Sequence, residues 1–389
     1  MENPITKTHL ENGLTILLKE IHTAPIISNW IWYQVGSRNE VPGLTGISHW
    51  VEHMQFKGTS QFPSGVMDKA ISREGGYWNA FTYLDWTTFF ETMPARKIDI
   101  ALKLEADRMV NSRFDPDEVT SERTVIISER EGKENEPLFL LGENVQQVAF
   151  QIHPYRHEII GAMDDLKSMT RDDLFRHYQS NYAPDRAVLA IAGDFETSAM
   201  LDRVGELFGN TPRSQSMMSA IPIEPPPQSE QRLVVNGPGE TTFIQASYRA
   251  PAASNPDFFS FSVLDSLLSG PSGLNMFGGG GISNKTSRLY QSLVEKELAI
   301  GVHGGLQATI DPFLYDILIT VHPDRSPDKV LAALDQEIKR LQDHLVTPEE
   351  IQRAIKQAKA LFAYGSENIT NQGFWLGYAE MFAQYDWFL

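Results

Sequence analysis

Short apolar runs recur along the chain and predict β-strands, because turn residues bound them and β-branched residues enrich them. In the first half they lie at residues 14–19, 26–35 and 187–192, and in the second half at 232–235, 242–248 and 317–321. Segments with helical periodicity separate them, at 44–57, 116–131 and 257–268 among others. Strands with hairpin-like spacing mixed with helices favour an α+β fold over a doubly wound sheet.

Two helices carry clear signals at their first residues. Asp115-Pro116 supplies a capping residue followed by proline at the first helical position. Thr347-Pro-Glu-Glu350 has the pattern of a capping box and predicts a helix that runs towards residue 363.

The order strand, strand, turn, helix occurs at the start of both halves, which indicates a distant internal repeat. A proline-rich segment that includes Pro225-Pro-Pro227 separates them and cannot continue a helix or a central strand. We therefore expect an N-terminal lobe over 1–212, a linker over 213–231 and a homologous C-terminal lobe over 232–389. The apolar ending of the chain suggests that the second lobe is truncated.

Drawn as a helix, the segment 44–57 has a chemical face and a packing face. At about 100° per residue, His49, Glu52 and His53 fall within an arc of roughly 100°. The opposite side carries Ile47, Trp50, Val51 and Met54. Two histidines one turn apart can bind one metal ion, and the glutamate beside the second can take a proton from water. This H-x-x-E-H spacing is that of the inverzincins, although a polar face can also hold these residues by chance.

A catalytic zinc site needs a third protein ligand. Glu122 and Glu129 lie within the apolar stripe of the helix predicted over 116–131. That stripe is formed by Val119, Val125 and Ile126. A carboxylate on a packing face is costly unless it is paired, hydrogen-bonded or metal-bound. Both glutamates are therefore candidates for the site, and structural salt bridges are the alternative.

Composition narrows the chemistry further. None of the 389 residues is cysteine, which excludes disulfides, thiolate nucleophiles and Cys-bound metals. The formal net charge of −17, without a basic patch, argues against a nucleic-acid partner. No apolar run reaches the roughly 18 residues that span a membrane, and residues 1–11 lack a secretory signal pattern. We expect a cytoplasmic protein with no membrane partner.

Several segments of this sequence resemble the M16 peptidase family, which includes pitrilysin, insulin-degrading enzyme and the mitochondrial processing peptidase. They are Leu10-Glu-Asn-Gly-Leu-Thr-Ile, Gly46-Ile-Ser-His-Trp-Val-Glu-His-Met-Gln-Phe-Lys-Gly-Thr59, Gly75-Gly-Tyr-Trp-Asn-Ala-Phe-Thr82 and Glu122-Arg-Thr-Val-Ile-Ile-Ser-Glu129. The resemblance implies two homologous lobes, each a mostly antiparallel sheet covered by helices. It also implies an endopeptidase with one Zn²⁺ per chain that hydrolyses peptides enclosed in a chamber.

The resemblance also implies a role for each matching site residue. The zinc ligands are His49, His53 and Glu129, the general base is Glu52, and Glu122 supports catalysis. Asn79, Ala80 and Thr82 match an edge strand to which the substrate peptide adds as an extra strand.

One departure from the family concerns an Arg and a Tyr in the C-terminal half, which help to hold the substrate and stabilise the oxyanion. Here Val294 and Ile300 stand where those residues would fall. That pattern is typical of the zinc-bearing subunit of two-subunit members. It predicts a heterodimer with a homologous subunit that supplies Arg and Tyr, and a homodimer is the weaker alternative. The glycine run 278–281 is read as a flexible connection, with a substrate-guiding loop as the alternative.

Two other functions compete with the zinc peptidase. One is a non-catalytic structural subunit of an M16-type complex, against which the intact set of three ligands argues. The other is a lyase of sulfur-ribose metabolism that uses the same H-x-x-E-H spacing. That lyase is short and relies on cysteine, which this chain lacks.

Overall fold

A computed structural model describes residues 5–216, 220–271 and 282–387 of the chain. The glycine run 278–281 lies outside these residues. Among the described helices, none combines the length and the apolar character needed to cross a membrane.

The chain divides into two compact units. The first unit consists of Met1–Glu134, Gln146–Arg232 and Asn368–Leu389, and the second of Asn135–Val145 and Leu233–Glu367. The sequence-based division assigned 368–389 to the C-terminal lobe and 135–145 to the N-terminal lobe, so these two segments are grouped differently. The described part of 213–231 carries no helix or strand.

Six strands form the sheet of the first unit: β1 Ile5–His9, β2 Thr15–Glu20, β3 Ile26–Tyr33, β4 Tyr77–Thr82, β5 Thr87–Pro94 and β6 Ala187–Gly193. They are arranged in the order β1-β2-β6-β3-β5-β4. Every neighbouring pair is antiparallel except β2 with β6, which confirms the expected mostly antiparallel sheet. β6 is buried along its whole length, as expected of an apolar run in the middle of a covered sheet. β4 forms one edge.

Helices from the first half of the chain cover one face of this sheet. They are α1 Ile47–Met54, α2 Val66–Ser72, α3 Ile98–Asn111, α4 Pro116–Glu134, α6 Met163–Ser168, α7 Arg171–Asn181 and α8 Thr197–Phe208. Trp50, Leu102, Leu174 and Val204 from four of these helices join one core with Ile31 and Leu189 of the sheet. α5, Pro137–Ala149, begins in the second unit and ends in the first.

The opposite face of the same sheet is covered by α12, Ile369–Phe382. Its Phe374 ring lies 5.4 Å from the ring of Trp30 and 5.3 Å from that of Trp32. Trp30 Nε1 also donates a hydrogen bond to the carbonyl of Thr370 at 3.0 Å. Aromatic packing and a polar anchor therefore fix α12 against β3.

The second unit contains a smaller sheet and, among its described residues, three α-helices that lie wholly within it. Its elements are β7 Phe243–Arg249, β8 Ala299–Leu306, β9 Leu314–Val321, α9 Phe258–Leu268, α10 Pro327–Asp343 and α11 Pro348–Gly365. The antiparallel order β7-β9-β8 repeats the order β3-β5-β4 of the first unit. The internal repeat inferred from the sequence is therefore present in the topology. Thr347 and Glu350 form the predicted capping box at the start of α11.

One strand prediction was wrong. Residues 232–235 form no strand, and Val234 is 90% exposed. In the first unit the matching strand β2 is held between β1 and β6. Among the described residues of the second unit, no strand takes the place of β6, so the short apolar run has no ladder to join.

Candidate metal centre

Helix α1, which carries His49, Glu52 and His53, begins where two segments of backbone are closely packed. Gly46 has φ +87°, and a Cβ atom there would overlap the carbonyl of Ile160. The carboxylate of Glu40 accepts hydrogen bonds from the amides of Gly46, at 2.8 Å, and Ser48, at 2.9 Å. A carboxylate that binds free amides at a helix start stabilises that start. These backbone contacts therefore fix the start of α1, independently of the side chains that the helix carries.

The two faces predicted for α1 are present. Ile47, Trp50, Val51 and Met54 are all at most 2% exposed. The guanidinium of Arg123, on α4, lies 4.7 Å from the ring centre of Trp50. This packing face fixes the rotation of α1, so His49, Glu52 and His53 share the other side.

Three potential ligand atoms meet between α1 and α4. Glu129 Oε2 lies 3.9 Å from His49 Nε2 and 3.9 Å from His53 Nε2. The two imidazole rings are 4.6 Å apart and nearly perpendicular. Of the described residues, these three form one of the groups able to hold a metal ion.

The spacing of these atoms fits a zinc ion. Ligands at about 2.0–2.1 Å from a tetrahedral zinc lie about 3.3 Å from one another. The observed 3.9 Å separations need only a small side-chain adjustment to reach that value. Two imidazole nitrogens and one carboxylate oxygen form a donor set typical of catalytic zinc, which keeps a fourth position open.

The side chain of Glu129 is more open than the sequence pattern predicts. It is 39% exposed, and Val125, assigned to the same apolar stripe, is 47% exposed. The buried face of α4 follows Val119, Glu122, Ile126 and Arg130 instead. Glu129 lies beside that face, so its carboxylate can reach the two imidazoles while it remains in contact with solvent.

Glu122, by contrast, is buried and contacts His53 directly. Its Oε1 lies 2.8 Å from His53 Nδ1, and its Oε2 lies 2.5 Å from Lys57 Nζ. Burial alone would raise the pKa of Glu122, but the hydrogen bonds from His53 and Lys57 outweigh it and lower this pKa. The ionised carboxylate therefore accepts a hydrogen bond from the Nδ1–H group of His53. The lone pair of His53 Nε2 is then free to bind a metal ion.

The two histidines differ in their electrostatics. Burial, followed by repulsion from His53, lowers the pKa of His49 to about 3, so its imidazole is neutral at pH 7. Burial would also lower the pKa of His53, but the hydrogen bond to Glu122 and the nearby carboxylates raise it instead. A neutral imidazole binds metal readily, and an imidazole oriented by a carboxylate is a stronger ligand.

Glu52 lies beside these ligands and is only 8% exposed. Burial raises its pKa, and a hydrogen bond from Thr82 opposes that shift. Thr82 Oγ1 donates to Glu52 Oε2 at 2.7 Å. A glutamate whose pKa is raised by burial suits a group that both accepts and returns a proton.

The three residues assigned to substrate binding lie on β4, the edge strand of the first sheet. Asn79 is exposed, and its Oδ1 accepts a hydrogen bond from the amide of Ala80 at 2.9 Å. Ala80 and Thr82 point to the face that packs against α1, since Ala80 belongs to the core below that helix. Two contacts of this site were not predicted from the sequence. They are the contact between Lys57 and Glu122 and the contact between Thr82 and Glu52.

A second group of potential ligands consists of Glu20, His22 and Glu196. His22 Nδ1 lies 2.6 Å from Asp194 Oδ1, and its Nε2 lies 2.8 Å from Glu20 Oε1. Because both ring nitrogens already have carboxylate partners, we assign no metal to this group. The pattern agrees with a hydrogen-bonded structural histidine.

Two family descriptions match consecutive parts of the chain. "Insulinase (Peptidase family M16)" matches residues 15–163, and "Peptidase M16 inactive domain" matches residues 168–358. The three candidate ligands and Glu52 all lie within the first match.

Curated relatives agree with these matches. An uncharacterized zinc protease of Mycobacterium leprae is 28% identical over 97% of this chain and 82% of its own length. A probable mitochondrial-processing peptidase subunit beta of Arabidopsis thaliana is 26% identical over 91% of this chain and 66% of its own length.

A solved structure shows the same fold. A protease from Helicobacter pylori superposes with a TM-score of 0.90 at 24% identity, covering 98% of this chain and 90% of that one. Matches to both M16 domains, together with this α+β architecture, place the chain in a known family. It belongs to peptidase family M16.

Proposed function

We propose that this chain is a zinc-dependent endopeptidase, with His49, His53 and Glu129 as the metal ligands. The observation that carries the proposal is the approach of Glu129 Oε2 to both imidazole Nε2 atoms at 3.9 Å. The hydrogen bond from His53 Nδ1 to Glu122 supports it, because it leaves the ligating nitrogen unprotonated. The names of the zinc-protease relatives point to the same metal. The spacing of His49, Glu52 and His53 is the inverted zinc motif read from the sequence.

A bound zinc would supply Lewis-acid chemistry, polarising the peptide carbonyl and acidifying water. The chain's own residues perform the proton transfers. Glu52 accepts a proton from the attacking water and then delivers it to the departing amine nitrogen. Glu122 acts through His53 rather than on the substrate, and is therefore a positioning residue.

The substrate in this proposal is an extended peptide that adds to the free edge of β4. An edge strand exposes main-chain hydrogen-bonding groups, which bind peptides of varied sequence. We assign this role to the backbone at Asn79, Ala80 and Thr82. The amide of Ala80 is bonded to the side chain of the preceding residue, a bond that an incoming carbonyl could replace.

We further propose that the working enzyme is a heterodimer that encloses the peptide in a chamber. Val294 and Ile300 stand where active single-chain members are expected to carry Arg and Tyr. Ile300, on β8, is 57% exposed and has no polar group to offer a substrate. The relative from Arabidopsis thaliana is named as a subunit, which supports a homologous partner that supplies both residues.

A non-catalytic structural subunit is the second candidate. The family description that matches residues 168–358 is that of an inactive domain, which favours it. The two candidates differ in whether the chain binds zinc and cleaves peptides.

The deciding experiment measures zinc content and peptide cleavage on the full chain with the subunit that co-purifies with it. Glu52→Gln should retain zinc and lose cleavage, whereas His49→Ala should lose both. His22→Ala, which alters a histidine of the second group, serves as the control and should change neither. Wild-type protein that holds no zinc would favour the structural subunit.

A further inference from the structure

The hydroxyl of Thr82 is directed at the general base. Its Oγ1 lies 2.7 Å from Glu52 Oε2, within the normal range for a hydrogen bond to a carboxylate. An ionised carboxylate has no proton to give, so the threonine donates. Thr82 lies at the end of β4, and Glu52 lies in the second turn of α1. The bond therefore joins the edge strand to the helix that carries the candidate ligands His49 and His53.

Neighbouring groups leave the proton of Thr82 available for Glu52. Thr87 is the cross-strand partner of Thr82, and their hydroxyl oxygens are 3.4 Å apart. Thr87 Oγ1 gives its own proton to the carbonyl of Val35 at 2.8 Å, while the hydroxyl of Tyr182 lies 3.4 Å from Thr87 Oγ1. Thr87 and Tyr182 are both at most 2% exposed. The Thr82 hydroxyl therefore lies beside Thr87, which in turn contacts Tyr182, and these two buried residues have hydrogen-bond partners of their own for their hydroxyl groups.

We propose that Thr82 is a positioning residue for Glu52, and that its hydroxyl fixes the orientation of the base's carboxylate. This inference rests on the proposed peptidase function and changes the role of one residue within it. In the edge-strand proposal Thr82 contributes its backbone to substrate binding. In the present proposal, the side chain of Thr82 also takes part, because it donates a hydrogen bond to the general base Glu52.

A glutamate carboxylate rotates freely about its last bond unless a partner holds it. The Thr82 bond holds Oε2, which leaves Oε1 as the oxygen that meets the attacking water. Because proton transfer requires this alignment, loss of the bond should slow turnover while substrate binding is unchanged. General-base catalysis as a whole contributes about 10²–10⁴-fold. We expect removal of the orienting hydroxyl to lower kcat by about 10–100-fold.

Three variants separate this role from the alternatives. Thr82→Val removes the hydroxyl with little change of shape, and Thr82→Ser restores it. Thr88→Val is the matched control, since Thr88 is the next buried threonine of β5 and donates to the carbonyl of Ile31 instead. Each zinc-loaded protein, with its co-purifying subunit, is assayed for kcat, KM and zinc content.

The proposal expects a lower kcat with unchanged KM and zinc content in Thr82→Val, and recovery to within a few-fold of wild type in Thr82→Ser. Thr88→Val should keep the wild-type kcat. An increased KM with unchanged kcat in Thr82→Val would overturn the proposal and assign the side chain to the substrate. Equal losses in Thr82→Val and Thr82→Ser would overturn it in favour of packing.

A structural readout separates this inference from the proposed function. In crystals of zinc-loaded Thr82→Val the Glu52 carboxylate should leave the orientation seen in wild type, and in Thr82→Ser it should return. An unchanged Glu52 in Thr82→Val overturns the positioning role whether or not the chain cleaves peptides. Absence of cleavage by wild type together with a displaced Glu52 would overturn the peptidase proposal alone.

Discussion

His53 and Glu122 are joined by a hydrogen bond of 2.8 Å between Nδ1 and Oε1, across 69 residues of sequence. The bond connects α1 to α4, the two helices that carry all three candidate ligands. Lys57 balances the second oxygen of Glu122 at 2.5 Å, so the buried carboxylate is paired on both sides. The orientation of His53 is therefore determined by α4 as well as by its own helix.

Glu122→Gln should weaken zinc binding without removing a ligand. The amide keeps the shape of the side chain but lacks the charge that strengthens His53, and Lys57 then faces no anion. Loss of such a supporting partner typically lowers metal affinity about 10–100-fold. Competition with a chelator of known affinity measures this change.

Glu118→Gln, one turn earlier on α4, is the control for that substitution and should leave zinc affinity as in wild type. An unchanged affinity in Glu122→Gln would show that His53 is oriented without Glu122.

A buried ion group lies between the sheet and α3 in the same unit. Arg108, Glu91 and Glu105 are each at most 1% exposed, and the guanidinium of Arg108 pairs with both carboxyl groups. Burial, with repulsion from Glu105, raises the pKa of Glu91 well above its usual range. Arg108→Met should cost about 3–5 kcal/mol, because it leaves two carboxyl groups buried without their cation.

Urea unfolding of the metal-free protein measures that cost. Adding Glu91→Gln and Glu105→Gln to Arg108→Met should restore part of the lost stability, since no uncompensated charge then remains. If the triple variant is less stable than Arg108→Met by the sum of the effects of Glu91→Gln and Glu105→Gln measured singly, the three residues act independently.

The residue pattern within one helix was sufficient to predict some features of the site and not others. The 3.6-residue period placed His49, Glu52 and His53 on one face of α1, because their arrangement depends on that helix alone. The bonds of Lys57 to Glu122 and of Thr82 to Glu52 join separate elements. Such contacts depend on tertiary packing, which leaves no periodic signal in the sequence.

The fold shows the same limit. The strand at 187–192 could be predicted because its continuous apolar run reflects burial on both faces. The apolar run at 232–235 led to a wrong strand prediction, because a strand also requires a neighbouring strand to pair with. The location of 369–382 on the first sheet could not be read from the sequence, since the apolar residues of this helix are not confined to one face and do not indicate which surface it covers.

Two glycines in helices should respond in opposite directions to alanine. Gly377 of α12 lies against the indole of Trp32, and a Cβ atom there would overlap Trp32 Nε1. Gly205 of α8 has open space around it. Gly377→Ala should destabilise by about 1–3 kcal/mol through overpacking. Gly205→Ala should stabilise by roughly 0.5–1 kcal/mol, because alanine favours the helix.

Midpoints of urea unfolding distinguish these two outcomes. Zinc content should be unaffected by either substitution, because the added Cβ atom meets Trp32 at residue 377 and open space at residue 205, and no candidate ligand at either position. Stabilisation by Gly377→Ala would mean that α12 does not approach β3 as closely as described.

His177 should make the stability of the metal-free protein fall in mild acid. Burial lowers the pKa of this residue to about 4 in the folded state, below the ordinary value of 6.5. At pH 7 the imidazole is neutral in both states. Between pH 6.5 and 4 the unfolded chain takes up a proton that the folded protein excludes, so stability decreases as the pH falls through this window. His177→Gln removes this proton uptake while it keeps a polar group near Ser48 and Asn181.

The difference in unfolding free energy between wild type and His177→Gln should therefore shift by about 1–3 kcal/mol against wild type from pH 7 to pH 4.5. Carboxylates and the other histidines contribute equally to both proteins, so the comparison isolates residue 177. Parallel pH curves for the two proteins would mean that the imidazole can become charged where it lies, with water reaching the pocket beside α1.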